Sequence, residues 1–140
     1  MGLETHLNAS QRKRLREVAR ENGLKFIIIY GSLAKEQHKP ESDIDIAILG
    51  EKKAGLKKYL YLFTQFSEIF PGKEIDLKSL HRVDPLFRYL VVRDGMLLCG
   101  NPTDYLEFKS YAFRDYQESQ SLFSLQKRLI QKRQTVLLSL

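Results

Sequence analysis

Residues 31–45 read GSLAKEQHKPESDID, and the position of this stretch in the chain decides the fold. It opens where the apolar run Leu24–Tyr30 ends and closes inside a second run, Asp43–Leu49, that begins Asp, Ile, Asp, Ile. The first run is β-branched and aromatic, too short for a core helix, and predicts a strand buried on both faces. The second predicts another strand whose opening residues alternate. Pro40 interrupts the polar segment between them, and Leu33–Glu36 could begin a helix just after Gly31-Ser32.

In a strand, alternate side chains share a face, so Asp43 and Asp45 project to the same side with Cα atoms about 7 Å apart. Two carboxylates that converge to about 4 Å repel by roughly 1 kcal/mol in water and by more in a partly dry cleft. A divalent cation with a preference for oxygen is the natural compensator, since Mg²⁺ takes one or two carboxylates and leaves positions for water and phosphate. A third acid, Asp76, lies between Ile75 and Leu77 in a later predicted strand, Glu74–Lys78. Beside the Asp43 strand it could reach the same metals, and three aspartates could hold two ions about 3.5 to 4 Å apart, the arrangement used for in-line displacement at phosphorus. An isolated Asp-x-Asp is also what a solvent-facing strand start looks like. The Gly31-Ser32 corner changes that balance, because glycine lets backbone approach phosphate, serine offers a hydroxyl, and free N–H groups at a helix start favour anions.

Outside this stretch the chain predicts a basic amphipathic helix over 10–22, with Ser10 as N-cap, Leu15, Val18 and Ala19 on one face and Gly23 as the stop. A helix follows the second strand, with Leu56, Tyr59, Leu60, Phe63, Phe66 and Phe70 as its apolar stripe and Pro71-Gly72 as its end. Asp84–Arg93 reads as a helix, Met96–Cys99 as a short strand after a turn at Asp94-Gly95, and Asn101-Pro102 as the start of another helix. On that helix Tyr105, Phe108, Tyr111, Phe113 and Tyr116 read as packing rather than a base-stacking platform. A last stripe over 119–138, built on Leu122, Leu125, Leu129 and Val136 and flanked by Lys127, Arg128, Lys132 and Arg133, either closes the domain or binds another chain. The fold class expected is α/β: one domain spanning 1–140, a small mixed sheet with the three aspartates on one face, and helices behind it and at both termini.

At 140 residues with 43% apolar and 29% charged content, the composition is that of one ordinary globular domain. Apolar runs of about five residues exclude a membrane-spanning helix, which needs roughly 18. The first eight residues carry no secretory pattern, and one cysteine, Cys99 in an apolar run, predicts a buried inert thiol and a cytoplasmic location. The net charge of +6 sits at the ends: residues 10–22 carry five basic and two acidic groups, and residues 118–140 four and one. Such ends suit an acidic protein partner or nucleic acid, the latter being possible but not favoured. There is no Gly-x4-Gly-Lys-Ser/Thr loop, and His6, His38 and His81 lack partners at zinc spacing. They read as surface histidines, with His38 placed where it could touch a nucleotide from the loop.

The pattern GSLAKEQHKPESDID, together with the later EIDL, resembles the active-site signature of the polymerase-β-like nucleotidyltransferase superfamily. Over most of its length the chain resembles the minimal nucleotidyltransferase (MNT) antitoxins that pair with HEPN-domain ribonuclease toxins. The resemblance implies that Gly31 and Ser32 contact nucleotide phosphates, with Lys35 standing where many relatives have an arginine. It also implies that Asp43 and Asp45 bind Mg²⁺ and that Asp76 completes the two-ion site and helps activate the acceptor hydroxyl. The implied activity is transfer of AMP from ATP to a hydroxyl, a tyrosine, of a cognate HEPN toxin in a hetero-oligomer. Two other readings share the sequence: an aminoglycoside-type nucleotidyltransferase, and a noncatalytic antitoxin that acts by binding.

Overall fold

The computed structural model describes residues 7–31 and 43–139. In chain order they form α1 (Ala9–Glu21), β1 (Leu24–Tyr30), β2 (Ile44–Gly50), α2 (Leu56–Ile69), β3 (Ile75–Ser79), α3 (Pro85–Asp94), β4 (Met96–Cys99) and α4 (Pro102–Leu138). The four strands make one mixed sheet in the order β3-β2-β1-β4. β1 runs antiparallel to both β2 and β4, while β2 and β3 are parallel. The parallel pair needs a crossover, and α2 supplies it.

β1 is buried on both faces as its composition predicts: Phe26, Ile27, Ile28 and Ile29 are at most 1% exposed. Ile27 and Ile29 join Ile44, Ile46, Ile48 and Leu77 in a core with α1 and α2, which contribute Leu15, Val18, Leu62 and Phe66. Phe26, Ile28 and Ala47 face the other way, against Val91, Val92, Tyr105 and Ala112 of α3 and α4. Helices therefore cover both faces, where the sequence suggested helices behind one.

Three local expectations are corrected. The first helix is capped by Asn8, not Ser10: the Asn8 side chain accepts from the Gln11 amide while the Gln11 side chain accepts from the Asn8 amide, a reciprocal box that a lone Ser10 cannot make. On α2 Phe66 and Phe70 of the expected stripe are buried, but the sheet also takes Leu62 and Ile69, while Leu56, Leu60 and Phe63 are exposed. This helix is apolar on adjoining faces, so spacing alone selects a neighbouring stripe. Finally, residues 119–138 are not a separate helix but the continuation of α4, 37 residues long from Pro102 with Asn101 as its cap. No Gly or Pro breaks that stretch.

α3 and α4 are tied by Arg88, which is buried. Its guanidinium donates to the Leu80 and His81 carbonyl oxygens and pairs with Asp115 at 3.2 Å. His81 is itself engaged, with Nε2 2.9 Å from the Gly50 oxygen, rather than a plain surface residue; His6 and His38 lie outside the described residues. Cys99 is only half-buried, at a cleft of about 470 Å³ shared with Arg12 and Arg16. Burial pushes its thiol pKa up, with Arg16 opposing. Among the described residues, no strand pairs with the outer edge of β4.

Candidate functional site

Asp45 and Asp76 meet because of strand register. Asp45 on β2 lies opposite Tyr30 on β1 and beside Asp76 on β3. Paired residues share a face, and by alternation Asp45 is on the side of Ala47, the face packed by α3 and α4. The site is thus the end of the sheet where β1 finishes and β2 and β3 begin. Asp43, exposed, stands one residue ahead of β2.

Gly31 closes this corner. It has φ +77°, and a Cβ built on it would fall 2.4 Å from Asp45 Oδ2. Only glycine allows both the left-handed turn and so close an approach of backbone to that carboxylate. Ser32 and Lys35, the other two residues expected at this corner, lie outside the described residues.

The electrostatics show that the acids interact. The Asp45 carboxyl is held above its ordinary range, first by burial, then by the charges of Asp76 and Asp43, with Lys78 opposing. Lys78, two residues along β3 from Asp76, reaches it at 3.7 Å, both side chains being half-exposed. One exposed lysine is weak relief for three carboxylates. Two of these neighbours were missed in the sequence. Tyr30, half-buried with its ring edge-on to Phe87 at 5.8 Å, has its phenol pKa raised by burial and by Asp45 and Asp76. No local spacing points to it, because its place beside Asp45 comes from the β1–β2 register. Lys78 could have been found by alternation from Asp76.

Among the described residues, no three His, Cys, Asp or Glu side chains are gathered tightly enough to hold an ion as they stand. The donor chemistry nevertheless fits a hard divalent cation: the ligating atoms on offer are carboxylate oxygens, and after burial their mutual repulsion adds to the rise at Asp45. An incoming cation would relieve that repulsion.

The family model for polymerase β nucleotidyltransferases matches residues 13–104. The chain belongs to that family. This nucleotidyltransferase is 29% identical over 92 residues to a candidate protein adenylyltransferase of Methanocaldococcus jannaschii, covering 65% of this chain and 96% of that one. Among solved structures it resembles a toxin-antitoxin crystallised with AMP-PNP, with TM-score 0.71, 22% identity, and 85% and 97% of the two chains covered. A complex of a tri-AMPylated Shewanella oneidensis HEPN toxin with an MNT antitoxin gives TM-score 0.65 at 21% identity, over 86% and 96%. A candidate minimal nucleotidyltransferase gives 0.56 at 23%, over 69% and 95%. The fold is that of a minimal, polymerase-β-like nucleotidyltransferase. No helix of the described residues is long and apolar enough to cross a membrane.

Proposed function

We propose that this nucleotidyltransferase moves AMP from ATP to a tyrosine hydroxyl of a cognate HEPN-domain toxin and neutralises it, acting as the antitoxin of the pair. The observation that carries this reading is the sheet corner: Gly31 backbone against the Asp45 carboxylate, with Asp76 beside it in register and Asp43 one step before it. The neighbours support it: one relative is a candidate protein adenylyltransferase, and one complex contains a tri-AMPylated HEPN toxin.

In this reading Gly31, Ser32 and Lys35 bind the triphosphate, and Asp43, Asp45 and Asp76 hold two Mg²⁺ ions. Bound there, the metal supplies charge neutralisation on the phosphates and polarisation of the α-phosphorus. The acceptor oxygen forms a bond to the α-phosphorus as the bond to pyrophosphate breaks, and Asp76 draws on the acceptor's proton, which passes to solvent. Gly31 keeps side-chain bulk out of the space between backbone and nucleotide. Arginine at position 35 would offer two parallel bonds to phosphate where Lys35 offers a point charge. Lys35→Arg is therefore expected to tighten ATP binding.

The test is intact mass of a co-expressed HEPN-domain protein, with and without ATP and Mg²⁺. Mass gains in whole adenylate steps, lost with Asp45→Asn, are expected. Full neutralisation of the toxin by Asp45→Asn, with no mass gain, would instead favour inhibition by binding alone. Label appearing on an aminoglycoside rather than on protein would replace the acceptor.

A further inference from the structure

The face of α4 that packs on the domain does not stop where the domain does. Tyr105 and Ala112 are buried, Phe108 and Tyr116 are half-buried, and Tyr116 stacks on Tyr89 at 5.5 Å. At the same helical spacing the face runs on through Leu122, Phe123, Leu129, Ile130, Val136 and Leu137, all exposed. From residue 120 to 139 every residue is exposed. At 1.5 Å per residue this leaves about 30 Å of helix carrying an apolar stripe with none of the other described residues packed over it.

Phe123 is 70% exposed and Leu129 and Ile130 are 56% and 58%. Together the stripe presents an area on the order of the roughly 800 Å² per partner that a standard interface takes, well above a scatter of surface apolar groups. Its charge pattern selects the occupant. Lys127, Arg128, Lys132 and Arg133 flank or interrupt the stripe, and no acid follows Glu118. Arg133, eleven residues from Leu122 and so close to the same helical azimuth, falls inside the stripe. Two such segments laid together would crowd eight cations around an apolar seam with two glutamates for relief, which disfavours a second copy. A partner must bring both the apolar surface and the carboxylates.

We propose that residues 120–138 of α4 dock, as an amphipathic helix, into an apolar groove rimmed with carboxylates on the protein that accepts the nucleotide. This rests on the reading of that acceptor as an HEPN-domain toxin. The mode is helix-in-groove, with Leu122, Phe123, Leu129, Ile130 and Leu137 as anchors and Lys132 and Arg133 fixing register against acids. It separates holding from chemistry: the partner is gripped by α4 while its hydroxyl is presented to the Asp45 corner.

The experiment uses the full chain and the HEPN-domain protein co-expressed with it, measuring affinity by calorimetry and AMP transfer by intact mass in the same samples. Leu129→Glu with Ile130→Glu, at exposed positions that leave the fold intact by circular dichroism, is expected to weaken binding on the order of 100-fold. Transfer should fall at low partner concentration and recover at high concentration. Lys132→Glu with Arg133→Glu is expected to slow association and flatten its salt dependence. Unchanged affinity in both variants, with transfer intact, overturns the docking site and leaves the catalytic reading standing. Binding lost in the variants with no transfer even by the unmodified chain supports the docking site and removes the catalytic reading. A dimer of the chain alone, abolished by Leu129→Glu with Ile130→Glu, overturns the choice of partner.

Discussion

The corner where Gly31 touches Asp45 sets what single substitutions do. A methyl at Gly31 would demand a left-handed backbone that costs an L-residue about 1–2 kcal/mol, and would also collide with Asp45 Oδ2. Gly31→Ala is expected to lower the unfolding midpoint and to abolish nucleotide transfer, read by thermal denaturation and by intact mass. Asp45 works in the opposite sense. Its folded pKa lies above its ordinary value because of burial and the charges of Asp76 and Asp43, so the folded chain binds more protons here than the unfolded chain, and stability falls as pH rises from the ordinary carboxylate pKa through the raised one. In metal-free buffer near pH 7, Asp45→Asn should therefore unfold at a higher temperature than the natural chain, the gap closing as pH drops below about 4, where both states are protonated. Adding Mg²⁺ should stabilise the natural chain and not the variant. A higher midpoint for the natural chain in metal-free buffer at pH 7 would mean the acids do not strain the fold. Asp43 and Asp45 read as a pair because a strand period of 2 would put them on one face, while the structure starts β2 at Ile44 and leaves Asp43 one residue ahead of it. Tyr30 was not legible, since its relation to Asp45 is set by antiparallel register, a long-range property that local spacing does not encode.

Among the elements, β1, β2 and β4 were readable from short apolar runs bounded by turn residues, and α3 from Asp84 and Pro85 at its start, where the Asp84 side chain accepts from the Leu86 amide. Two helices were read less well, for different reasons. In α2 the apolar residues spread over adjoining faces, so burial was decided by the sheet and not by the stripe. In α4 the pattern splits into an aromatic half and an aliphatic half, which reads as two helices although nothing in the sequence breaks it. The long helix needs a firm base, and Arg88 provides it, joining the Leu80 and His81 carbonyls to Asp115 of α4. Arg88→Met keeps much of the packing but strands two carbonyls and the Asp115 charge. It is expected to cost about 2–4 kcal/mol, measured by urea denaturation, with hydrogen exchange rising first in α3 and the start of α4. A loss below about 0.5 kcal/mol would show that α4 is held by its aromatic contacts alone.

For the whole molecule, the sheet divides its labour by face and by end. α1 and α2 seal one face, α3 and α4 cover the other, and the acids occupy the end where β1 stops and β2 and β3 start. That placement follows from the crossover through α2, which brings Asp76 back beside Asp45 after 31 residues of chain. The basic ends read in the sequence map onto two helices with different fates, α1 packed on the core and the far part of α4 exposed. The proposed transfer requires Asp43, Asp45 and Asp76 to act as one magnesium and nucleotide site. Calorimetric titration of the chain with AMP-PNP in the presence of Mg²⁺ tests it most directly. Saturable binding that disappears with EDTA and with either Asp45→Asn or Asp76→Asn is predicted; equal binding by the natural chain and both variants, or no binding by any of them, would contradict it.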